Sequence, residues 1–263
     1  MKLVDQMGRE IHCAVPPKRI VSLVPSQTEY LYDLGLGNRV VGITKFCVHP
    51  NEWFRSKTRI GGTKTVAIEK VKALEPDLII GNKEENTKSD IEQLENIAPT
   101  WMSDIFTLED SFQMMLEIGR LVDLEEKSKE IVQSIKDAFD DLKASPMLRS
   151  IQGKSVLYLI WKDPYMGAAN QTFIDHLLTE TLGFENVLKM ENRYPEITDI
   201  RKVNPDFIFL SSEPYPFKEK HLKEIREKCP NTKVVLVDGE YFSWYGSRLS
   251  NAPIYFQRLI AQL

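Results

Sequence analysis

Two side chains that can bind transition metals stand two residues apart in the sequence, Cys47 and His49. A thiolate is a soft ligand and an imidazole a borderline one, so the pair could contact cobalt or iron. Because a protein-held metal needs more than two ligands, the pair does not predict a metal centre built by the protein alone. We expect at most an axial contact to a metal that a chelate already holds; the other interpretation is that Cys47 is a buried thiol.

Other motifs for chemistry are missing from the sequence. The three cysteines, Cys13, Cys47 and Cys229, are widely spaced and include no CxxC, which argues against a disulfide framework and against a structural zinc site. No HExxH or GxSxG signature is present, and no GxGxxG follows a strand-like run. The sequence therefore predicts no catalytic residue and no intrinsic cofactor.

Aromatic side chains crowd the segment VDGEYFSWYGSR, directly after the apolar run Val234–Val237. Rings in a loop after a buried strand can pack against a broad planar ligand with few polar contacts, and packing within the core is the alternative. Arg248 could pair with a ligand carboxylate or phosphate, or with Asp238 or Glu240. The candidate ligand contacts in this segment are Tyr241, Phe242, Trp244, Tyr245 and Arg248.

Further candidates follow the other strand-like runs, because ligands of open α/β sheets bind at the carboxyl ends of the strands. Ser26 lies where a helix N-terminus could offer N–H groups to a ligand, or it could simply cap that helix. The segment 61–64 lacks the spacing of a phosphate-binding loop, so its glycines indicate either close approach to a bulky group or an ordinary turn. These candidates are Pro25, Ser26, Gln27, Gly62, Thr63, Lys64, Asn82, Trp161, Tyr165, Glu213 and Tyr215.

Short apolar runs alternate with amphipathic segments along the chain. This alternation is typical of parallel α/β units, and uninterrupted apolar runs indicate sheets covered on both faces. We therefore predict an α/β fold with central, mostly parallel sheets. The predicted strands are Arg19–Val24, Arg39–Ile43, Leu78–Ile80, Ser155–Trp161, Phe207–Leu210 and Val234–Val237, and the predicted helices are Gln27–Leu34, Ile68–Leu74, Ser89–Ile97 and Phe173–Leu182.

The two halves of the chain contain similar short series in the same order. Gln27-Thr28 returns as Gln171-Thr172, and Pro76-Asp77 returns as Pro205-Asp206. Because the offsets differ, the series indicate two diverged lobes rather than a stacked array, with chance similarity as the alternative. Between them, a proline-free stretch with helical spacing predicts a long, stiff helix. The predicted organisation is an α/β lobe over residues 1–122, a connecting helix over 123–146 and a second α/β lobe over 147–263.

Charge and composition argue against several classes of function. The 34 basic residues nearly balance the 38 acidic ones, which gives no electrostatic reason to expect nucleic acid or an anionic membrane as a partner. No apolar run is long enough to span a bilayer. Charges interrupt the N-terminal segment, so it does not form a secretory signal, and we expect either a cytoplasmic protein or a chain whose leader is absent from this sequence.

Several segments in order resemble one family: RIVSLVPSQTEYLYDLG, the glycine pair Gly61-Gly62, IEKVKALEPDLII, the central helix and VNPDFIFLSSEP. Over nearly its whole length the chain resembles the cobalamin and ferric-siderophore substrate-binding proteins of ABC importers, with the cobalamin-binding branch nearer. The resemblance implies a cleft between two lobes that captures a small-molecule metal chelate, a cobalt corrinoid or a ferric chelate, in the periplasm or cell envelope. It also places Phe46 at an aromatic ligand-binding position.

The resemblance further implies docking onto a permease dimer through one acidic residue on each lobe. Glu69 matches the position on the first lobe, whereas Glu196 or Asp199 could serve on the second, where the sequence departs from the family pattern. We expect a monomer that binds the chelate and is not an enzyme. A ferric siderophore or haem is the alternative ligand, and a cytoplasmic metal-chelate enzyme or metallochaperone is the alternative of another class.

Overall fold

The computed structural model describes residues 2–263. The chain folds into two compact units, and neither of them is one continuous segment. The first unit comprises the chain up to Ile105, Glu109–Ser134 and Tyr245–Arg248, and the second comprises Phe106–Leu108, Ile135–Trp244 and Leu249–Leu263.

The first unit is built mainly from short strands and short helices that alternate along the chain. In order these are β1 (Lys2–Val4), β2 (Glu10–His12), β3 (Ile20–Ser22), α1 (Pro25–Asp33), β4 (Val40–Ile43), α2 (Asn51–Ser56), β5 (Thr58–Arg59), β6 (Gly61–Gly62), β7 (Thr65–Val66), α3 (Ile68–Ala73), β8 (Leu78–Asn82), α4 (Lys88–Leu94) and β9 (Thr100–Ser103). Two longer helices follow, α5 (Leu108–Leu121) and α6 (Glu125–Ala144).

The central sheet of the first unit has five parallel strands in the order β5-β4-β3-β8-β9. β3 and β8 are buried along their whole length, as expected of strands that are covered on both faces. From β3 the chain proceeds to β4 and β5 on one side and then returns to β8 on the other. The strand order therefore switches between β3 and β8, and ligands of such sheets bind at the carboxyl ends of the strands beside that switch.

Helices α5 and α6 pack closely on each other and on α1. A Cβ on Gly119 of α5 would lie 2.4 Å from the Cβ of Ser128 on α6, so only glycine permits this approach. The Tyr30 hydroxyl of α1 lies 2.9 Å from the Met115 carbonyl and 2.8 Å from the Ser128 hydroxyl. The division between the two units falls inside α6, between Ser134 and Ile135.

The second unit repeats the strand–helix alternation. Its elements are β10 (Ser155–Trp161), β11 (Met166–Gly167), α7 (Phe173–His176), β12 (Glu185–Asn186), β13 (Phe207–Ser211), α8 (Glu219–Lys228), β14 (Lys233–Val237), α9 (Glu240–Ser243) and α10 (Ala252–Ile260).

The sheet of the second unit runs in the order β11-β10-β13-β14, with β12 also paired to β10. β12, β13 and β14 pair in parallel, and β11 alone in this described sheet pairs antiparallel. Because β11 and β12 lie on one side of β10 and β13 on the other, the strand order switches between β10 and β13. The second sheet therefore repeats the topology of the first around its own central strand.

The predicted α/β class is confirmed, with two mostly parallel sheets and a helix of 20 residues that runs from one unit into the other. Two local features differ in detail from the predictions. β9 (Thr100–Ser103) forms at the start of the proline-free stretch, where no strand was predicted, and the predicted helix Phe173–Leu182 consists of α7 followed by one π-helical turn, Leu177–Thr181. Among residues 2–263 no helix has both the length and the apolar character needed to cross a bilayer.

Candidate functional site

The N-terminus of α1 lies directly after β3, at the switch point of the first sheet. Val24 occupies the N-cap position and Pro25 begins the helix, so Ser26 is not the capping residue that the sequence left as an alternative. Ser26 and Gln27 are buried, with 4% and 0% of their surface exposed. These two side chains therefore face the interior of the first unit.

Gln27 and Asn82 form a buried hydrogen-bond network with Ser103. Gln27 donates from Nε2 to Ser103 Oγ at 2.5 Å, and Asn82 donates from Nδ2 to the same oxygen at 2.9 Å. Asn82 Oδ1 also accepts from the backbone N–H groups of Glu84 and Glu85. The prediction that Gln27 and Asn82 contact the ligand directly is not met in this structure, because both side chains lie beneath the surface and bind neighbouring protein groups.

A two-stranded hairpin, β6-β7, contains the glycine pair and carries Thr63 and Lys64 at its tip. Gly61 has a φ of +103°, and a Cβ there would lie 2.5 Å from the Thr65 carbonyl oxygen. A Cβ on Gly62 would lie 3.3 Å from the ring of Phe46. The glycines thus permit both the hairpin and its close approach to an aromatic ring.

Phe46 is half exposed (50%) in the loop after β4, although it is a large apolar side chain. The Lys45 ammonium lies 5.0 Å from the centre of its ring. On the hairpin beside it, Lys64 is exposed and Thr63 is 8% exposed. Phe46, Gly62 and Lys45 therefore come together at one edge of the first unit.

Glu85, in the turn after β8, is a charged group at this edge that the sequence analysis did not identify. Burial raises the pKa of its carboxyl, Glu84 raises it further, and Lys64 opposes the change. The carboxyl also acts electrostatically on Cys47 and on Tyr245. No motif marks this residue, since its position depends on how the turn after β8 folds.

Cys47 is a core side chain, which corrects the expectation that it could contact a bound metal. None of its surface is exposed, and the Thr28 hydroxyl donates to its sulfur at 3.1 Å. Burial raises the pKa of the Cys47 thiol, so the sulfur is a neutral thiol rather than a ligating thiolate. His49 is half-buried in the same loop and acts electrostatically on Glu29. Residues 2–263 contain no cluster of three or more metal-ligating side chains.

Arg248 pairs with Glu29 of α1, a partner that the sequence did not indicate. Its Nε and Nη2 atoms each donate to one carboxylate oxygen of Glu29 at 2.8 Å, and both side chains are mostly buried. Burial raises the pKa of the Glu29 carboxyl, and Arg248 opposes this effect. The guanidinium therefore anchors the segment Tyr245–Arg248 to the first unit.

Tyr245 is buried in that segment, close to Ser26 and Ser103. Burial raises the pKa of its hydroxyl well above the ordinary value. The next residue, Gly246, donates its N–H to Ser111 Oγ at 3.1 Å. The segment is thus part of the interior of the first unit and not an open loop.

At the carboxyl end of β10 in the second unit, Trp161 is 40% exposed and meets Tyr215 edge to face, with ring centres 5.6 Å apart. Tyr215 packs in turn on Phe217 at 4.8 Å and on His221 at 5.4 Å. These four rings form a cluster beside the switch point of the second sheet.

Tyr165 is half-buried and belongs to a charged network below this cluster. Its hydroxyl donates to Glu224 Oε1 at 3.0 Å and accepts from Lys228 Nζ at 3.2 Å. Glu224 also pairs with Lys162, and hydrogen bonds from Lys162 and Lys228 lower the pKa of Glu224 to about 2. Tyr165 is therefore oriented by α8.

The aromatic segment after β14 forms the short helix α9, and it divides its rings between two environments. Phe242 is fully buried among Tyr158, Phe209 and Phe256, which corrects its prediction as a ligand contact. Tyr241 is half-buried and stacks on Tyr255, with ring centres 4.5 Å apart.

Glu213 connects α9 with the loop after β13. Its Oε1 accepts from the indole N–H of Trp244 at 2.9 Å and from the Ser243 hydroxyl. Trp244 is 7% exposed, so its ring is largely buried. In this structure Glu213 positions the tryptophan, a role that the sequence pattern did not indicate.

The candidate docking residues differ in how their carboxylates are engaged. Glu69 is exposed in the first turn of α3, and Glu196 is exposed before a 3-10 turn, Ile200–Lys202. Asp199 caps that turn and accepts from the backbone N–H and the guanidinium of Arg201. These hydrogen bonds lower the pKa of Asp199.

Comparisons with known proteins agree on one family. A family model described as "Periplasmic binding protein" matches residues 20–228. An uncharacterised ABC transporter substrate-binding lipoprotein of Bacillus subtilis, YvrC, is 30% identical over 212 residues, which cover 78% of this chain and 67% of that protein. The Fe(3+)-citrate-binding protein YfmC of the same organism is 26% identical over 207 residues, 74% of this chain and 64% of that protein. The match to YfmC thus spans less than two thirds of its length.

Solved structures share the fold along nearly the whole chain. The periplasmic vitamin B12-binding protein BtuF of Vibrio cholerae superposes with a TM-score of 0.79 at 20% identity, covering 95% of this chain and 98% of that one. The periplasmic heme-binding protein RhuT from Roseiflexus sp. RS-1 gives a TM-score of 0.78 at 18% identity, covering 93% and 98%. At such identities these likenesses establish the fold alone.

Proposed function

Since this chain belongs to the periplasmic binding protein family, we propose that it is the substrate-binding component of an ABC importer and that it captures a metal chelate. One observation carries the proposal. Phe46 and Trp161 are large rings, 50% and 40% exposed, and each follows or ends a strand at the carboxyl edge of its own sheet. Exposed aromatic rings beside a topological switch point favour a binding surface for a broad, largely apolar ligand.

The ligand we propose is a cobalt corrinoid. The arginine that the sequence offered for an anionic ligand, Arg248, is bound to Glu29. The two cations at the Phe46 edge, Lys45 and Lys64, are matched in number by the carboxyl groups of Glu84 and Glu85, so this edge offers no excess of positive charge for a strongly anionic ferric siderophore. A corrinoid whose side chains are neutral amides needs no such excess of positive charge. YfmC and RhuT bind ferric citrate and heme respectively, so these ligands belong in the same test.

Haem is the second candidate, on one observation. His49 is half-buried in the loop that also carries Phe46. A neutral imidazole is a good axial ligand for iron or cobalt that a macrocycle already holds. Cys47 has no such role in the proposal, because its sulfur is buried.

The experiment is a titration with cyanocobalamin, cobinamide, hemin and ferric citrate, followed by visible absorbance and calorimetry. We expect one-to-one binding of a corrinoid, weakened about tenfold or more by Phe46→Ala or Trp161→Ala, as for a buried aromatic anchor. Met190→Ala, which removes an 89% exposed side chain elsewhere in the second unit, is the control and leaves affinity unchanged. Saturable binding of hemin alone, with an absorbance change lost in His49→Ala, would replace the corrinoid by haem. Binding of none of the four would overturn the proposal of a metal chelate.

The proposed partner is the permease dimer of the importer, contacted by Glu69 on the first unit and Glu196 on the second. Of the two candidates in the second unit, Asp199 is held by Arg201 and caps a turn, so breaking its hydrogen bonds to reach a partner has a cost that Glu196 avoids. We propose that the protein lies in the cell envelope, since its relative YvrC is a substrate-binding lipoprotein and BtuF is periplasmic. We also propose that it is a monomer. We propose no catalytic activity.

A further inference from the structure

Asn86, in the turn between β8 and α4, links two segments of the first unit that are distant in sequence. It is 7% exposed. Its Oδ1 accepts from the Asn82 N–H at 2.9 Å, and its Nδ2 donates to the Thr63 carbonyl at 2.9 Å. One amide side chain thus joins the end of β8 to the tip of the β6-β7 hairpin.

The hairpin contains few bonds of its own. Its register consists of the pairs Gly61–Val66 and Gly62–Thr65. Three further bonds hold its base, from the Ala67 N–H to the Ile60 carbonyl at 2.8 Å, from the Lys45 N–H to the Gly61 carbonyl at 2.8 Å and from the Val66 N–H to Asp90 Oδ2 at 3.1 Å. The bond from Asn86 is placed differently, because Thr63 lies at the tip.

The tip is the part of the hairpin that lies beside the proposed ligand surface. Gly62 packs against the Phe46 ring, and Lys64 is near enough to Glu85 to act on its charge. If the tip moves, the surface beside Phe46 changes shape and the charge of Lys64 moves away from Glu85. A mobile loop must also lose conformational entropy when a ligand binds, which lowers affinity.

We propose that Asn86 is a positioning residue for ligand binding: it fixes the tip of the β6-β7 hairpin so that the surface around Phe46 is formed before the ligand arrives. This inference rests on the proposed function, because it takes that surface to be part of the ligand site. Asn86 itself is too deeply buried to be assigned a ligand contact.

The test uses Asn86→Asp in the full chain. The carboxylate keeps an acceptor for the Asn82 N–H but removes the donor to the Thr63 carbonyl, and the matched control is Asn96→Asp, at an exposed asparagine whose Nδ2 donates to the Glu92 carbonyl. We expect about tenfold weaker binding of cyanocobalamin at about pH 8, as for loss of one buried hydrogen bond, because the free protein then holds the tip in place for a smaller fraction of the time. Amide exchange over residues 60–67 becomes faster in Asn86→Asp and is unchanged in Asn96→Asp.

A pH series separates positioning from a general loss of structure. Burial and the Thr63 carbonyl oxygen raise the pKa of an aspartic acid at this position, and its protonated form can again donate to Thr63, so the affinity of Asn86→Asp recovers toward wild type as the pH falls to about 5. Lys64, Glu84 and Glu85 surround the tip in both proteins, so the wild-type series is the reference for their titration. If Asn86→Asp and Asn96→Asp had the same affinity and the same amide exchange, the inference would be wrong. It would also be wrong if Asn86→Asp lost affinity but showed neither faster exchange over residues 60–67 nor recovery of affinity at low pH. If wild type binds none of the chelates, the proposed ligand class fails, and the exchange of residues 60–67 still decides whether Asn86 holds the tip.

Discussion

At the residue scale, His221 has two hydrogen-bond partners that fix its protonation state. Its Nδ1 accepts from the Lys218 N–H at 3.0 Å, and its Nε2 lies 3.3 Å from the Tyr215 hydroxyl. An acceptor Nδ1 carries no proton, so the neutral ring holds its hydrogen on Nε2. Burial lowers the pKa of His221, and the charges of Lys162 and Lys220 lower it further.

This shift predicts a pH dependence of stability. Below the ordinary pKa of 6.5, the unfolded chain takes up a proton at His221 that the folded chain refuses, so stability is fully present above that value and is lost as the pH falls toward the lower folded pKa. We expect the urea midpoint of wild type to fall between about pH 7.5 and about pH 5.5 more than that of His221→Gln, whose amide can still accept from the Lys218 N–H without titrating.

The control for that comparison is His12→Gln, at an exposed histidine of β2, which should keep the wild-type slope. Glu224 does not interfere, because its pKa of about 2 places its titration below this range. Identical slopes for wild type and His221→Gln would contradict the assignment of a neutral, acceptor ring.

The residues themselves also show where sequence reasoning stops. The sequence showed a metal-binding type of side chain at Cys47 and an aromatic ring at Phe242, but whether either reaches a ligand depends on which way the side chain points. Cys47 follows β4 in sequence, yet its sulfur faces Thr28 in the interior. Phe242 falls on the inner face of a single helical turn, a length too short for any periodicity to reveal which residues face inward. The thiol of Cys47 and the ring of Phe242 can be identified in the sequence, whereas the groups that surround them are set by the tertiary fold.

At the element scale, the buried parallel strands were the easiest features to predict, since strands covered on both faces are continuous apolar runs. β10 has the predicted bounds, and β4, β13 and β14 differ from theirs by a residue. Short elements with mixed composition were missed, among them β9 and the β6-β7 hairpin. The pairing of β9 is set by contacts distant in sequence, such as the Ile79–Thr100 register with β8, and the hairpin strands have only two residues each, too few to show an alternation.

The hairpin gives a stability prediction. Gly61→Ala places a Cβ 2.5 Å from the Thr65 carbonyl oxygen and 2.9 Å from the Ala67 nitrogen at a φ of +103°. We expect the free energy of unfolding to fall by about 2–4 kcal/mol, from backbone strain together with the clash. Gly8→Ala, also at positive φ (+76°) but with open space around the added carbon, should cost only about 1 kcal/mol.

Urea denaturation of the two variants measures the difference, and both glycines belong to the first unit. If Gly61→Ala were no more destabilising than Gly8→Ala, the result would contradict the close contacts that this structure predicts for a Cβ at position 61.

At the scale of the whole molecule, the order of the segments along the chain was more informative than any single motif. Their resemblance to the cobalamin and siderophore binding proteins agrees with the family match over residues 20–228 and with the fold shared with BtuF and RhuT. The order of the segments does not predict which ligand is bound. The identity of the ligand depends on side chains at the sheet edges, several of which, such as Gln27 and Asn82, bind other protein groups.

The proposed docking residues give a prediction at this scale. With the cognate permease and ATPase in proteoliposomes, Glu69→Gln and Glu196→Gln should each reduce stimulation of ATP hydrolysis by the loaded binding protein severalfold, because each removes a charge from an exposed contact. Ligand affinity should not change. Asp199→Asn should stimulate like wild type, and a loss with Asp199→Asn as large as that with Glu69→Gln would reassign the contact to Asp199.

The division of the chain into discontinuous units has a consequence for its folding. The first unit needs Tyr245–Arg248, a segment that Ile135–Trp244 separates from the rest of that unit along the chain. Until this segment joins the unit, Glu29 lacks the guanidinium that it binds in the folded protein, and Ser111 lacks the Gly246 N–H. Closing a long loop has an entropic cost that must be met before such bonds can form. The first unit therefore reaches its final form only after the chain has closed a loop that contains most of the second unit.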